Sequence, residues 1–264
     1  MRVALMIEGQ EGVTWPQWVA LARAAEDAGL EALFRSDHYR AIGRGDPAGA
    51  LDAWGTLCGL AAVTSRIRLG TLVSPVTFRH PSVLAKLVTT ADHISGGRIE
   101  LGIGAGWFES EHEAYGFDFP PHRGRLDELD RQLAEITRQW TEAGDVWPKP
   151  VQQPRPPIIV GGNARPRTVA AAVRFADEYN TVDPSVDEAR ERKQRVDEAA
   201  ATAGRAPLRF SIMIETDPRA GADELEERLR GYEAVGVERV MLQHLEHEDV
   251  ERVAVLGDVA ARLR

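Results

Sequence analysis

Short apolar runs and amphipathic runs alternate from one end of this chain to the other, and that alternation constrains the fold more than any other feature. Arg2–Glu8 reads as a buried strand, and Thr14-Trp15-Pro16-Gln17 opens a helix. There threonine caps, proline tolerates the first turn, and glutamine follows the cap at capping-box spacing. Trp18, Leu21, Ala22 and Ala25 line one helical face and Gly29 ends it. Glu31–Ser36 is the second strand, a helix runs from about Ala50 to Thr64, and Ile67–Val73 is the third strand. His80-Pro81 opens the next helix, with Val83, Leu84, Leu87, Val88, Ala91 and Ile94 at helical spacing and Gly96-Gly97 as its stop. Arg98–Gly104 is the fourth strand, and Arg123–Trp140 is a strongly amphipathic helix carrying Leu126, Leu129, Leu133 and Ile136. The proline-rich stretch Gly144–Pro157 reads as irregular. Strands follow at Pro157–Gly161, Glu178–Val182, Leu208–Glu215 and Val237–Gln243, with helices at Pro166–Ala176, Val186–Ala203, Asp223–Val235 and Val250–Arg264.

The pattern is eight strands alternating with eight helices. Parallel neighbours need crossover connections, and helices then cover the sheet. An open doubly wound sheet is the competing architecture, and it would place a G-x-G-x-x-G phosphate loop after the first strand. Here that strand leads into Glu8-Gly9-Gln10-Glu11-Gly12. The expectation is therefore an α/β fold, a (β/α)₈ TIM barrel forming one domain over residues 1–264, a length ordinary for such barrels.

Composition narrows the partners. No apolar run reaches the roughly 18 residues a membrane span requires, and the N-terminus meets Glu8 too early for a signal peptide. The single cysteine, Cys58, excludes an internal disulfide and any cysteine-based metal site; between Leu57 and Leu60 it reads as a small core residue. A cytoplasmic location follows most simply. A formal net charge of −9 argues against nucleic acid or an anionic membrane as partner.

The unusual residues cluster where strands finish, which is where such barrels carry their chemistry. The strings are Ser36-Asp37-His38-Tyr39; the run from Gly70-Thr71-Leu72-Val73-Ser74-Pro75 to Phe78-Arg79-His80-Pro81; Gly102-Ile103-Gly104-Ala105-Gly106-Trp107; and Gly161-Gly162-Asn163. Together with Ser95-Gly96-Gly97-Arg98 and Pro156-Pro157-Ile158-Ile159-Val160, they resemble the luciferase-like monooxygenase family, specifically its branch of coenzyme F420-dependent oxidoreductases. The likeness runs in order to about Asn180, and the last third matches in pattern only.

The resemblance implies a luciferase-like barrel binding a deazaflavin, F420, with FMN as the alternative, and a homodimer as the family habit. It implies cofactor contacts from Asp37, Leu72, Val73, Ser74, Gly104, Ala105, Gly106, Gly161, Gly162 and Asn163. A cis peptide supporting the ring is expected at Leu72–Val73, with Ser74-Pro75 as the other position. Gly104-Ala105-Gly106 lets backbone approach a planar ring, or serves a tight turn. Gly161-Gly162-Asn163, ahead of a helix, offers N–H groups to the cofactor phosphate, with Arg165 or Arg167 adding charge. His38 matches the histidine that takes the hydroxyl proton in alcohol- and sugar-oxidising relatives; packing against the ring is its other reading. No metal site is expected, and Glu109-Ser110-Glu111-His112 reads as a solvated helical face.

Two departures bear on substrate. The sugar-phosphate and alcohol dehydrogenases of the family carry glutamate where this chain has Trp107, and tryptophan where it has Ile42. Trp54, Phe78 and Trp107 point instead to an apolar or aromatic small-molecule cavity, although Trp54 also suits helix packing. The segment Thr141–Pro156 is short for the family, which predicts a more open pocket. The function expected is an F420-dependent oxidoreductase exchanging hydride with such a molecule. The alternatives are an FMN-dependent monooxygenase served by a separate reductase, or a non-catalytic member that only binds.

Overall fold

The computed structural model of the chain describes residues 1–43, 49–142 and 144–264. Its elements in order are β1 (Arg2–Ile7), α1 (Trp15–Asp27), β2 (Ala32–Arg35), α2 (Ala53–Val63), β3 (Arg68–Thr71), β4 (Ser74–Pro75), α3 (Pro81–Ser95) and β5 (Ile99–Gly104). They continue with α4 (Glu109–Tyr115), α5 (His122–Thr141), β6 (Ile158–Gly161), α6 (Pro166–Phe175), β7 (Glu178–Val182), α7 (Val186–Thr202), β8 (Arg209–Glu215), α8 (Ala222–Glu233), β9 (Arg239–Gln243) and α9 (Arg252–Arg262). The strands pair in the order β3-β2-β1-β9-β8-β7-β6-β5-β4, all in parallel, and a further β3–β5 pairing closes the ring. The expected barrel is the observed one.

The third strand differs from the sequence reading, because it breaks at a cis peptide between Leu72 and Val73. Below the break Gly70 pairs with Glu100, and above it Ser74 pairs with Ile103. The broken strand thus advances four residues while its partner advances three, so one extra residue bulges out of the ladder. The other difference is α4, a short helix in the loop after β5. Seven residues give too few turns for an apolar period to show.

Strand geometry sends alternate side chains to opposite faces. Val3, Leu5 and Ile7 of β1 face outward and join Trp18, Leu21, Ala22 and Ala25 of α1 in the main core. That helix starts as expected, with Gln17 Oε1 accepting from the Thr14 backbone N–H at 2.8 Å, and it stops at Gly29, whose φ is +71°. Ala4 and Met6 face inward and meet Ala32, Phe34, Leu72, Ile159 and Met241 in a second, smaller core inside the barrel.

Below that inner core the strand starts bring charge together. Arg239, 0% exposed, reaches Glu100 Oε2 at 2.7 Å and Glu178 Oε2 at 2.6 Å. Arg68 adds a contact of 2.5 Å to Glu100 and Arg209 one of 3.2 Å to Glu178. Burial opposes the charge of Glu100, but Arg239 and Arg68 outweigh it and hold its carboxyl below the ordinary carboxylate range. Burial dominates at Glu178 and pushes its carboxyl up, against the pull of Arg239. The cluster closes the strand-start end of the barrel, so a cavity can form only at the opposite mouth.

Substituting Arg239→Met should destabilise the protein by about 3–5 kcal/mol in urea unfolding, because two buried carboxylates lose their shared cation. Glu100 has a depressed folded-state value, so its contribution is full above the ordinary carboxylate range and declines as pH falls through its folded value. Thermal unfolding between pH 6 and pH 2 (on the order of a 4-unit span) should show that decline in the wild type and a weaker one in Glu100→Gln.

Candidate active site

At the ends of the strands lies a cavity of about 1020 Å³. Every strand places a residue on its wall or in the loop that follows. Four groups of side chains define it.

The first is the bulge. Leu72 and Val73 line the cavity, and Val73 occupies space that three neighbouring positions leave free. A Cβ added to Gly104 would come within 2.7 Å of Val73 Cγ2, and one added to Gly161 within 3.3 Å of its Cγ1. These glycines therefore accommodate Val73, whose side chain forms an apolar shelf across the barrel mouth. Gly106 has a different reason: its φ is +80°, and the chain turns there from β5 toward α4.

The second group stands at the start of α6. Gly161, Gly162, Asn163, Arg165, Arg167 and Thr168 line this end of the cavity. The first turn of a helix leaves backbone N–H groups without intrahelical acceptors, and Arg165, the exposed cap residue, makes no side-chain capping bond. Arg167 is tied to Asp127 at 2.7 Å and Asp130 at 3.3 Å on α5. Arg192 of α7 comes close as well, with Nη1 donating to Thr181 Oγ1 at 2.6 Å and lying 3.5 Å from Asn163 Oδ1. The cationic end thus draws on two helices, α6 and α7, and Arg192 was hidden in a helix that is charged on most faces.

The third group is polar. Glu8 accepts from Gln243 Nε2 at 2.6 Å and from Gln10 Nε2 at 2.8 Å, and Ser36 donates to Gln10 Oε1 while accepting from the Gly9 N–H at 3.0 Å. No sequence motif marks this wall, which joins β1, β2 and β9 through barrel closure.

The fourth is aromatic and acidic. His38 lines the cavity with its ring 5.8 Å from Trp107 and 6.1 Å from Phe108, both edge-on. Its Nδ1 lies 2.7 Å from Glu111 Oε1, and Glu111 Oε2 accepts from the Tyr39 N–H at 3.1 Å. Glu111 and His112 are 1% and 0% exposed, so the expected solvated face is corrected: this side of α4 is buried. His112 is held at both nitrogens, 2.6 Å from Thr77 Oγ1 and 2.8 Å from the Phe108 carbonyl, with Phe119 packed at 4.6 Å.

Several residues expected at the cavity lie behind its wall. Asp37 is 1% exposed and receives Arg79 at 2.6 Å and 3.2 Å, together with the Ser74 hydroxyl at 2.6 Å. Ser74 in turn accepts from Trp54 Nε1 at 3.0 Å, so Trp54 is a buried packing residue of α2 and not a cavity residue. Phe78 stacks on Tyr39 at 5.0 Å, away from the lining. Arg79 also bridges to Asp52 at 2.5 Å; burial works against its charge, but Asp37 and Asp52 hold its guanidinium above its ordinary value. Burial, with Asp52 accepting its hydroxyl bond, pushes the Tyr39 phenol up. This network locks the His38 loop to the loop after β4. Trp107 alone of the three expected substrate residues lines the cavity, and with Ile42 and Leu245 it forms a rim in which each is more than a third exposed.

Against known proteins, the model of the luciferase-like monooxygenase family matches residues 2–260, and the chain belongs to that family. An uncharacterized protein of Mycobacterium tuberculosis is 31% identical over 227 residues, covering 81% of this chain and 76% of its own. A second protein of that organism, whose name proposes a coenzyme F420-dependent oxidoreductase, is 30% identical with coverage of 84% and 69%. An FMNH2-dependent dimethylsulfone monooxygenase of Pseudomonas fluorescens is 31% identical with coverage of 76% and 54%. Among solved structures, an F420-dependent secondary alcohol dehydrogenase superposes with a TM-score of 0.84 over 100% of this chain and 99% of its own, at 16% identity, which establishes likeness of fold.

Because Asp37 compensates a buried guanidinium, Asp37→Ala should destabilise the protein by about 3 kcal/mol or more. Urea unfolding of this variant beside Trp107→Ala, whose exposed ring should change stability by less than about 1 kcal/mol, checks that Asp37 supports the wall from behind.

Proposed function

We propose that this luciferase-like oxidoreductase is F420-dependent and exchanges hydride with an apolar or aromatic small molecule. The observation that carries the reading is the polarity of the cavity: an apolar shelf at Leu72–Val73, a cationic end at α6, and a histidine in the lining. Those features fit a planar ring joined to an anionic tail. Arg165, Thr168 and the first N–H groups of α6 would hold the tail's phosphate, with Arg167 and Arg192 adding positive charge nearby. Leu72, Val73, Gly104, Ala105 and Gly161 would hold the ring. A deazaflavin bound there supplies hydride chemistry at a ring carbon.

The protein's own part is to position and to handle a proton. Val73 would give a bound ring apolar support from the barrel side. Trp107, Ile42 and Leu126 offer apolar surface to the substrate and displace water from around it. His38 takes a proton at Nε2 when the substrate loses hydride from the carbon bearing an O–H, and returns it in the reverse direction. Trp107 in the family's glutamate position disfavours sugar phosphates, since the phosphate-binding charge of this cavity is at the cofactor end. The same shelf and cationic end also suit FMN, and the 31% identity to an FMNH2-dependent monooxygenase favours that as the second reading.

The apolar outer surface of α2 and α3 supports a homodimer. Val63, Val83 and Ile94 are 36%, 52% and 46% exposed, apolar surface that a second copy would cover.

Titrating the purified protein with F420 and with FMN by fluorescence tests the cofactor. F420 should bind at least about 10-fold more tightly, and Arg165→Ala should weaken it by about 10-fold or more, the worth of one charged hydrogen bond. Tight FMN binding without F420 binding overturns the reading. Light scattering should give twice the chain mass, and Val83→Asp with Ile94→Asp should halve it; a monomeric wild type refutes the dimer.

A further inference from the structure

We propose that Glu111 is a positioning residue that fixes His38 as its Nδ1–H tautomer, so that Nε2 presents a lone pair to the cavity. This rests on the functional reading above only in giving Nε2 the work of a base.

The carboxylate lies 2.7 Å from Nδ1 through one oxygen, while its other oxygen accepts the Tyr39 backbone N–H at 3.1 Å. A carboxylate that accepts at both oxygens can only be met by a protonated Nδ1. Two adjacent bonds, one to the imidazole of residue 38 and one to the amide of residue 39, fix the carboxylate and the ring against each other. Ring rotation is further limited by Trp107 and Phe108 packing edge-on. A histidine side chain in water favours the other tautomer, so the protein must supply the bias, and a buried charged acceptor is the strong way to supply it.

The charge pattern points the same way. The buried carboxylates of Glu100, Glu178 and Asp37 each face a guanidinium. Glu111, equally buried, is paired instead with a histidine that borders the cavity. Its helix is placed for this by His112, whose two nitrogens bridge Thr77 and the Phe108 carbonyl and whose ring packs on Phe119. His112 holds α4 down, and the preceding residue reaches His38.

The test uses the chain of residues 1–264 labelled with ¹⁵N-histidine and two-bond ¹H–¹⁵N spectra at a pH where the rings are neutral. His38 should show a protonated Nδ1 and an unprotonated Nε2. In Glu111→Leu the Nε2–H form should rise from minor to major. In Glu111→Gln, whose single carbonyl must serve the Tyr39 N–H, the amide NH2 is left to donate to Nδ1, and the Nε2–H form should rise as well. The His112 signals report whether α4 stays in place, since its Nδ1–H to Phe108 should persist in both variants. A wild-type His38 protonated at Nε2 overturns the proposal, as does Glu111→Leu with an unchanged tautomer. If Glu111→Leu disturbs His112, the wild-type and Glu111→Gln spectra decide. No cofactor is needed for this readout. A protein that binds no deazaflavin refutes the proposed function and leaves the tautomer standing, whereas an Nε2–H His38 refutes the tautomer whichever cofactor binds.

Discussion

Barrel closure between β3 and β5 is the constraint on which the rest of the molecule depends. A ring of parallel strands has no free edge, so every backbone group in the ladder must find its partner within the ring. Here the closing strand gains one residue over its neighbour, and the surplus is absorbed where Leu72 and Val73 leave the ladder. Closure and cavity are therefore one event. The residues that leave the ladder become the shelf, and Gly104 and Gly161 on adjoining strands lack side chains in the space Val73 takes.

The two ends of the barrel then divide the work. At the strand starts, Arg239 gathers Glu100 and Glu178 in a buried cluster, which rigidifies the floor. At the strand ends, the polar residues are spread around a wall and leave the centre open. The buried network of Asp37, Ser74, Trp54, Arg79 and Tyr39 stands between that wall and the helices. Its role is to hold the His38 loop, which explains why polar residues in a functional-looking string have their side chains turned away from the cavity.

Much of this was legible from the chain. Periodicity fixed each barrel strand to within a few residues, because strand and helix periods differ and glycine stops are unambiguous at Gly29 and Gly96. The positions of the cavity were legible too, since Leu72, Val73, Gly104 and Gly161 all line it. Residue roles were less so. Ser36-Asp37-His38 reads as one functional string, yet alternation at the strand end sends Asp37 to Arg79 and His38 to the cavity. Phe78 and Trp54 looked like substrate contacts because aromatic residues are common in both cavities and cores, and composition does not distinguish the two.

The barrel with which the sequence began was decided by the sequence: eight apolar strand patterns separated by amphipathic helices have few other ways to bury both sheet faces. Where each strand-end side chain points was decided only by the tertiary structure, since one bulged residue reverses which neighbour faces inward. Glu111 shows the difference most clearly. Its sequence context is a short charged helix, and nothing local links it to residue 38. Only the closed ring and the anchored α4 bring that carboxylate to His38, across a separation of 73 residues.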